Sequence, residues 1–291
     1  MIFTLIEPLQ YEFFIKAMLC ALLVGMLCGV IGVYIVLRGM SYIGHGLSHA
    51  IFGGAVVSSL MSINFFIGAS VWGFVSAVLI NLATKKKTIG ADAAIGIITT
   101  ASFALGIAII SKFKTFTRGF DAALFGNVLG ITNADLIAVI FVTLFAFIVV
   151  LVFYKQLLFA TFDYDVAKYY GVPVIWIDVI FSMTLAATIV VSMQVLGVTL
   201  IAAAVVIPAV VSRLLTNNFL HMLIFSTIIG GLCGLFGIYL SYYLDIASGA
   251  SVVLFSSVLF IIALLYSSYK GRIKRTITIR KTNIHTFNMI I

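Results

Sequence analysis

Long apolar stretches separated by short polar segments occupy nearly the whole chain from residue 11 to residue 268. Several of them approach or exceed the roughly 20 residues that a helix needs to cross a bilayer. Their apolar character is continuous and does not alternate, which excludes a transmembrane β-barrel. The pattern therefore predicts an all-α polytopic membrane protein, with spans at residues 11–37, 41–60, 64–83, 92–112, 134–154, 174–193, 196–214, 219–243 and 250–268.

The number of spans is eight or nine. The segment 41–60 is short and polar for a span, and only Gln194 and Gly197 divide the apolar run over 174–214. Composition agrees with a membrane protein, since 63% of the 291 residues are hydrophobic and 9% are charged, against about 25% charged in soluble domains. We expect one transmembrane domain over residues 1–268 and a basic tail over 269–291 that touches anionic headgroups.

The net charge of +8 raises the possibility of a nucleic-acid partner, but the positions of the charges argue against it. If nine spans cross and the N-terminus lies outside, most basic residues fall on the cytoplasmic side. These are Arg38, Lys85–Lys87, Lys155, Lys168, Arg213 and the basic residues between Lys270 and Lys281. Cytoplasmic loops of membrane proteins carry such an excess. The distribution of basic residues therefore indicates the orientation of the protein in the membrane, with the C-terminus in the cytoplasm. We expect no nucleic acid partner.

Two of the four histidines, His45 and His49, lie four residues apart in the predicted span 41–60. Positions i and i+4 of a helix are neighbours on one face, so one divalent metal ion can contact both imidazoles. Polar side chains at membrane depth are costly and usually line a pathway or a site. The alternative is that both histidines only hydrogen-bond to neighbouring helices. His221 and His285 are expected at the interface and in the solvated tail.

Residues 162–172 predict a short amphipathic helix between two spans on the cytoplasmic side. Asp163 can cap its N-terminus, and Asp165 lies in the first turn, where the helix dipole favours negative charge. Gly171 is well placed to end the helix, and Pro173 prevents its continuation. On these residues alone, a helix resting on the bilayer surface remains the alternative to a docking element.

Three other polar or helix-breaking positions are candidates with structural alternatives. Asp92 opens a span beside Lys85–Lys87, so capping and charge pairing compete with a gating role. Pro208 is expected to kink its span or to free a carbonyl near the cytoplasmic end, and a kinked packing helix is the simpler interpretation. Asp178 is expected to make a polar contact just inside a span.

Five elements of the chain, taken in order, resemble the membrane permease subunits of ATP-binding-cassette importers for zinc and manganese. They are Gly-x-x-x-x-Leu-Arg-Gly-Met-Ser at 32–41 with Gly-His-Gly-Leu-Ser-His-Ala at 44–50, Asp-Ala-Ala-Ile-Gly at 92–96, Leu-Phe-Gly-Asn at 124–127, Asp-x-Asp-x-Ala-x-x-x-Gly at 163–171, and the Gly-Val-x-Leu run from 197 that ends in Ile207-Pro208-Ala209. The resemblance covers about residues 11–268.

The resemblance implies a permease that works as a homodimer or close heterodimer in a prokaryotic cell membrane, above a cytoplasmic ATPase dimer. It also implies an extracellular or periplasmic metal-binding protein that delivers the ion. The segment with Asp163, Asp165, Ala167 and Gly171 matches the family's coupling helix, which docks on the ATPase. The chain itself has no Gly-x-x-x-x-Gly-Lys-[Ser/Thr] phosphate loop. It is therefore expected not to be an enzyme, and ATP is expected to bind to the partner.

The family commonly has an acidic residue where this chain has His45, and the equivalents of both histidines contact the metal. Imidazole suits Zn²⁺, whereas Mn²⁺ prefers oxygen ligands. Two chains related by a twofold axis could present four nitrogens, a geometry that zinc accepts readily. We therefore expect zinc as the favoured cargo and manganese as the next candidate.

Three other functions remain alternatives to this importer. A metalloprotease needs His-Glu-x-x-His, but Gly46 stands where the glutamate would act as base, so this class is set aside. A proton- or sodium-coupled carrier suits interrupted spans and a histidine pair, but has no use for a docking helix. An importer of a metal chelate such as cobalamin or a siderophore favours a wide path without chelating residues.

Overall fold

The computed structural model describes residues 7–61, 64–85, 90–113, 126 and 130–288 of the chain. A short 3-10 turn over Glu7–Gln10 precedes eleven α-helices in these residues. They are α1 (Glu12–Leu37), α2 (Ile43–Leu60), α3 (Phe65–Lys85), α4 (Ala91–Phe113), α5 (Asn133–Val152), α6 (Tyr154–Phe162), α7 (Tyr164–Tyr169), α8 (Val174–Leu196), α9 (Ile201–Leu215), α10 (Phe219–Leu244) and α11 (Ser248–Asn288).

All regular structure in the described part of the chain is helical, which confirms the all-α prediction. Seven helices are long and apolar enough to cross a bilayer, namely α1, α3, α4, α5, α8, α10 and α11. The other two predicted spans correspond to the 18-residue α2 and the 15-residue α9, which are not among these seven. Most of the predicted element at 124–127 and part of the Lys85–Lys87 run lie outside the described residues.

The predicted boundary between the sixth and seventh spans was wrong. Helix α8 continues to Leu196, three residues beyond the expected end, and α9 begins only at Ile201. Gly197 separates them because its φ of 78° lies in the left-handed region, which ends a helix. At the other end of the chain, α11 continues past residue 268 to Asn288. The division into a transmembrane domain and a basic tail stays a prediction.

Helix α1 is the central packing element of the bundle, and glycines let its neighbours approach closely. A Cβ atom on Gly25 would lie 2.1 Å from the carbonyl oxygen of Gly230 in α10, and one on Gly32 would lie 2.0 Å from the carbonyl oxygen of Val205 in α9. Ser226 of α10 donates a hydrogen bond to the Gly29 carbonyl at 2.7 Å. Small residues bring helices together in this way in lipid, where hydrophobic attraction between helices is absent.

Buried hydroxyls in the bundle are satisfied mostly within their own helices. On α8, Thr184 and Thr188 donate to the carbonyls of Ile180 and Thr184, each at 2.8 Å. Thr99 on α4 likewise donates a hydrogen bond to the Ile95 carbonyl at 2.7 Å. A polar side chain with no such partner is therefore unusual in this protein, because an unpaired polar group in an apolar interior is costly.

The α1–α10 contact predicts that Gly25→Ala destabilises the protein. The added methyl group meets backbone and forces the two helices apart, which typically costs about 1–3 kcal/mol. The expected result is a lower apparent Tm of the purified protein in detergent. Gly96→Ala on α4 is the matched control, since nothing lies within 4 Å of the position of its Cβ. Equal Tm values for the two variants would contradict the close packing of α1.

Candidate metal centre

The turn between α1 and α2 fixes the start of the helix that carries the histidine pair. Gly39 has a φ of 68°, and its N–H donates to the Val36 carbonyl at 3.3 Å. The Met40 N–H donates to the Ile35 carbonyl at 3.0 Å. These two bonds form the Schellman motif that ends a helix at a left-handed glycine. Helix α2 then begins at Ile43, so the two histidines lie in its first two turns.

His45 and His49 lie side by side, as their spacing predicts. Their ring centroids are 4.6 Å apart and their planes cross at 81°. Two imidazoles that bind one tetrahedral zinc ion through bonds of about 2.0–2.1 Å hold their centroids about 5 Å apart. The observed separation of the two rings is close to this value, so it is compatible with a shared ion.

The environment of the pair differs on its two sides. The His49 ring packs edge-on against Phe103 of α4, with centroids 5.0 Å apart, and the His45 ring lies 5.4 Å from the ring of Tyr42. Both histidines are half-buried. The Nδ1 atom of His49 is buried and has no hydrogen-bond partner among the described residues. When the imidazole carries its proton on Nε2, Nδ1 keeps a free lone pair that can bind a cation.

Neighbouring residues hold α2 in place around the pair. The Ser48 hydroxyl lies within hydrogen-bonding distance of the His45 carbonyl at 2.8 Å and of the Val198 carbonyl, before α9, at 3.0 Å. On another face, a Cβ atom on Gly46 would lie 2.8 Å from the Ile95 side chain of α4. Ser48 and Phe103 were not predicted as site residues. Ser48 stands inside the quoted motif, whereas nothing local marks Phe103.

One copy of the chain contributes two candidate metal ligands, His45 and His49. No group of three or more His, Cys, Asp or Glu side chains that could hold a metal occurs in the part of the chain that the structure describes. Asp92 is exposed in the first turn of α4, and Pro208 is buried within α9. The three cysteines are free and buried. The structure thus joins His45 to His49 and shows no contact of either with Asp92 or Pro208.

The predicted short helix is present as α7. The Asp163 carboxylate accepts a hydrogen bond from the Val166 N–H at 2.9 Å and caps the helix. Gly171, with a φ of 78°, ends it through bonds from Gly171 N–H to the Lys168 carbonyl and from Val172 N–H to the Ala167 carbonyl. Ala167 is fully buried, whereas Asp165 is exposed. Helix α7 therefore rests on the bundle through one small side chain and presents the rest outward.

Asp178, expected to make a polar contact, forms a buried ion pair. Its Oδ1 atom lies 2.9 Å from Nη1 of Arg38, the C-cap residue of α1. The sequence placed Arg38 in the cytoplasmic charge excess and in the element at 32–41, and the ion pair was not predicted. The two residues are 140 positions apart, so no local signal connects them.

Comparison with known proteins places these features in a family. The model of the ABC 3 transport family matches residues 10–267. The chain belongs to the ABC 3 transport family. It is 37% identical to the manganese transport system membrane protein MntC of Halalkalibacterium halodurans, over 92% of each chain. It is also 37% identical to MntC of Listeria monocytogenes, over 90% of this chain and 94% of that protein.

A solved structure in the family has the same fold. The chain superposes on a chain of PsaBC from Streptococcus pneumoniae, solved in complex with Fab, with a TM-score of 0.81 and 34% identity. The match covers 90% of this chain and 95% of that one. As an ABC 3 member the chain is a multi-pass permease of the cell membrane and not an enzyme, and ATP hydrolysis belongs to a separate subunit. Family membership thus sets aside the proton- or sodium-coupled carrier.

The unpaired nitrogen of His49 predicts that His49→Ala abolishes metal uptake. The variant removes the buried candidate ligand, so cells that express it with its partner subunits should accumulate no more metal than cells without the permease. Uptake of radioactive zinc and manganese measures this, and the amount of permease in the membrane should stay normal. His221→Ala is the matched control, because His221 is exposed at the start of α10. Normal uptake by His49→Ala would defeat the assignment of the site.

Proposed function

We propose that this permease imports a divalent transition metal ion, which His45 and His49 hold as it crosses the membrane. The buried Nδ1 atom of His49, with no partner among the described residues, is the observation that carries this proposal. Among the buried side-chain nitrogen and oxygen atoms of the described residues, only three others lack a hydrogen-bond partner, at Tyr34, Arg38 and Thr143. A passing cation would supply the partner that His49 lacks.

The ligand count supports a second copy of the permease in the working transporter. Two imidazoles leave a divalent ion incompletely bound, whereas two copies related by a twofold axis offer four nitrogens. Zinc accepts four such ligands in a tetrahedral arrangement. An importer must also release its cargo, so the two copies would have to move apart in each cycle. A separate dimer of ATPase subunits that bind and hydrolyse ATP would drive this motion.

Zinc is the cargo that the ligands favour. Imidazole is a borderline ligand that suits zinc, and the side chain of His45 lacks the negative charge and the oxygen atoms that manganese prefers. Manganese is the second candidate, because both MntC relatives are named for manganese transport. Position 45 is then the residue that distinguishes the two ions.

The coupling role of α7 is supported by its exposed surface. Tyr169 and Tyr170, at the end of the helix, have 87% and 73% of their surface exposed. Aromatic side chains are enriched at protein interfaces, and α7 holds its shape through Asp163 and Gly171 at its two ends. We propose that Asp163, Asp165, Ala167 and Gly171 form the element that docks on the ATPase.

The orientation follows from the charges and from α7. We propose that α7 and the basic tail face the cytoplasm and that the N-terminus lies outside, as the distribution of lysine and arginine indicates. An extracellular or periplasmic metal-binding protein would then deliver the ion to the opposite face. Asp92 and Pro208 remain candidates for gating, at the start of α4 and within α9.

Gly171→Asp should uncouple ATP hydrolysis from transport. A side chain at this left-handed position strains the end of α7, and the added charge alters its exposed surface. In proteoliposomes that contain permease and ATPase, we expect much less metal transported per ATP hydrolysed. Gly90→Asp is the control, since Gly90 precedes α4 and has nothing within 4 Å of its Cβ position. The docking role is wrong if Gly171→Asp retains both ATPase binding in a pull-down and transport.

His45→Asp should shift the preference of the transporter from zinc toward manganese. The change replaces a nitrogen ligand by a charged oxygen ligand at one side of the site. Competition uptake with both ions in the reconstituted complex measures the ratio of the two, and the wild-type protein is expected to prefer zinc. An unchanged ratio would mean that position 45 does not select the ion.

A further inference from the structure

Arg38 lies buried at the point where three parts of the chain meet. Its Nε atom donates a hydrogen bond to the Thr161 hydroxyl at 3.2 Å, and Nη1 donates to Asp178 Oδ1 at 2.9 Å. Its guanidinium carbon lies 4.5 Å from the centre of the Phe181 ring. The side chains of Arg38 and Asp178 are only 12% and 9% exposed. The guanidinium is thus held in one orientation by α6 on one side and α8 on the other.

These contacts join the histidine helix to the base of α7. Arg38 is the C-cap of α1 and immediately precedes the Gly39 turn, after which α2 begins and carries His45. Thr161 is the second-last residue of α6, two positions before Asp163, the N-cap of α7. One side chain therefore connects the segment that aims the histidines to the segment that presents α7.

Stability alone is a poor reason for this ion pair. The free energy of desolvating two buried charges is about as large as the free energy of their attraction. A protein with well-packed apolar residues of similar volume in their place is often as stable. A planar guanidinium does offer what apolar side chains lack, because its donors fix the relative direction of several elements at once. The contacts of Arg38 are therefore better explained by fixing the relative orientation of α1, α6 and α8 than by a contribution to the free energy of folding.

The bundle leaves space beside the connection. A cavity of about 460 Å³ lies beside the Arg38 side chain. Its lining includes Arg38, Ile43, Asn81, Tyr164, Asp165 and Asp178. Tyr164 and Asp165 belong to the first turn of α7, and Ile43 is the first residue of α2. Residues of α7 and of the start of α2 thus face the same open space. The polar contact between Thr161 and Arg38 lies beside this space.

We propose that Arg38 is a positioning residue for transport, which passes a displacement of α7 through Thr161 to the α1–α2 turn and so to the histidine pair. Asp178 and Phe181 hold the guanidinium in the orientation that lets it do so. The proposal rests on the proposed function of the histidines and of α7, but it names residues outside the histidine pair and outside α7.

Thr161→Val tests the connection at its weakest point. Valine has nearly the shape of threonine but cannot accept the hydrogen bond from Arg38, while the ion pair with Asp178 stays intact. In proteoliposomes with the ATPase, we expect the metal transported per ATP hydrolysed to fall about tenfold, the scale expected when a hydrogen bond to a charged donor no longer couples two elements. Equilibrium zinc binding to the permease and ATPase binding in a pull-down should stay normal.

Thr143→Val is the matched control. Thr143 is also buried in the bundle, and its hydroxyl has no hydrogen-bond partner among the described residues. The same change there should leave the transport ratio unaltered. A second variant, Arg38→Met with Asp178→Leu, removes both charges together, avoids a lone buried charge, and should lower the ratio as Thr161→Val does.

The outcomes separate this proposal from the proposed function. A wild-type ratio in Thr161→Val, or a fall no larger than that of Thr143→Val, would overturn the role of Arg38 while leaving the importer intact. A fall in the double variant alone would also overturn it, because the connection to α6 would then be unnecessary. Failure of the wild-type complex to transport metal would instead defeat the proposed function.

Discussion

In a lipid bilayer every buried polar group has to find its partner inside the protein, and the structure follows from how this chain meets that demand. Threonines and serines on α4, α8 and α10 donate to carbonyls, most of them one turn earlier in their own helices. Arg38 donates through Nη1 to Asp178, whereas its Nη2 atom has no partner among the described residues. The glycines of α1 then let the backbones of neighbouring helices meet without side chains between them. His49 is one of four described residues that depart from this pattern, with Tyr34, Arg38 and Thr143, because its buried Nδ1 has no partner among the described residues.

Packing around α1 is closer than packing around α7. Helix α1 is locked to α10 and α9 by backbone contacts at Gly25 and Gly32, so it provides a fixed reference for the helices around it. The histidine helix α2 is attached to α1 through a short turn at Gly39, and α7 is attached to the bundle through Ala167 and the Thr161 region. A transporter needs this combination, since the ion site must change while the bundle persists.

The sequence predicted what local pattern determines and missed what only the folded chain brings together. Continuous apolar runs gave the helices, and the i,i+4 spacing gave the His45–His49 contact, because both depend on neighbours in the chain. The end of α8 at Leu196 was misplaced because similar apolar residues lie on both sides, and only the backbone of Gly197 marks the break. The Arg38–Asp178 pair joins residues 140 positions apart, and pairing them requires the packing of α1 against α8.

The central claim is that the imidazoles of His45 and His49, from two copies of the permease, hold the ion in transit. Zinc X-ray absorption spectroscopy of the zinc-loaded wild-type complex tests it most directly, because it reports the atoms bound to the metal. The account predicts four imidazole nitrogens at about 2.0–2.1 Å from the zinc. A spectrum with oxygen or sulfur atoms in place of imidazole nitrogens would contradict it.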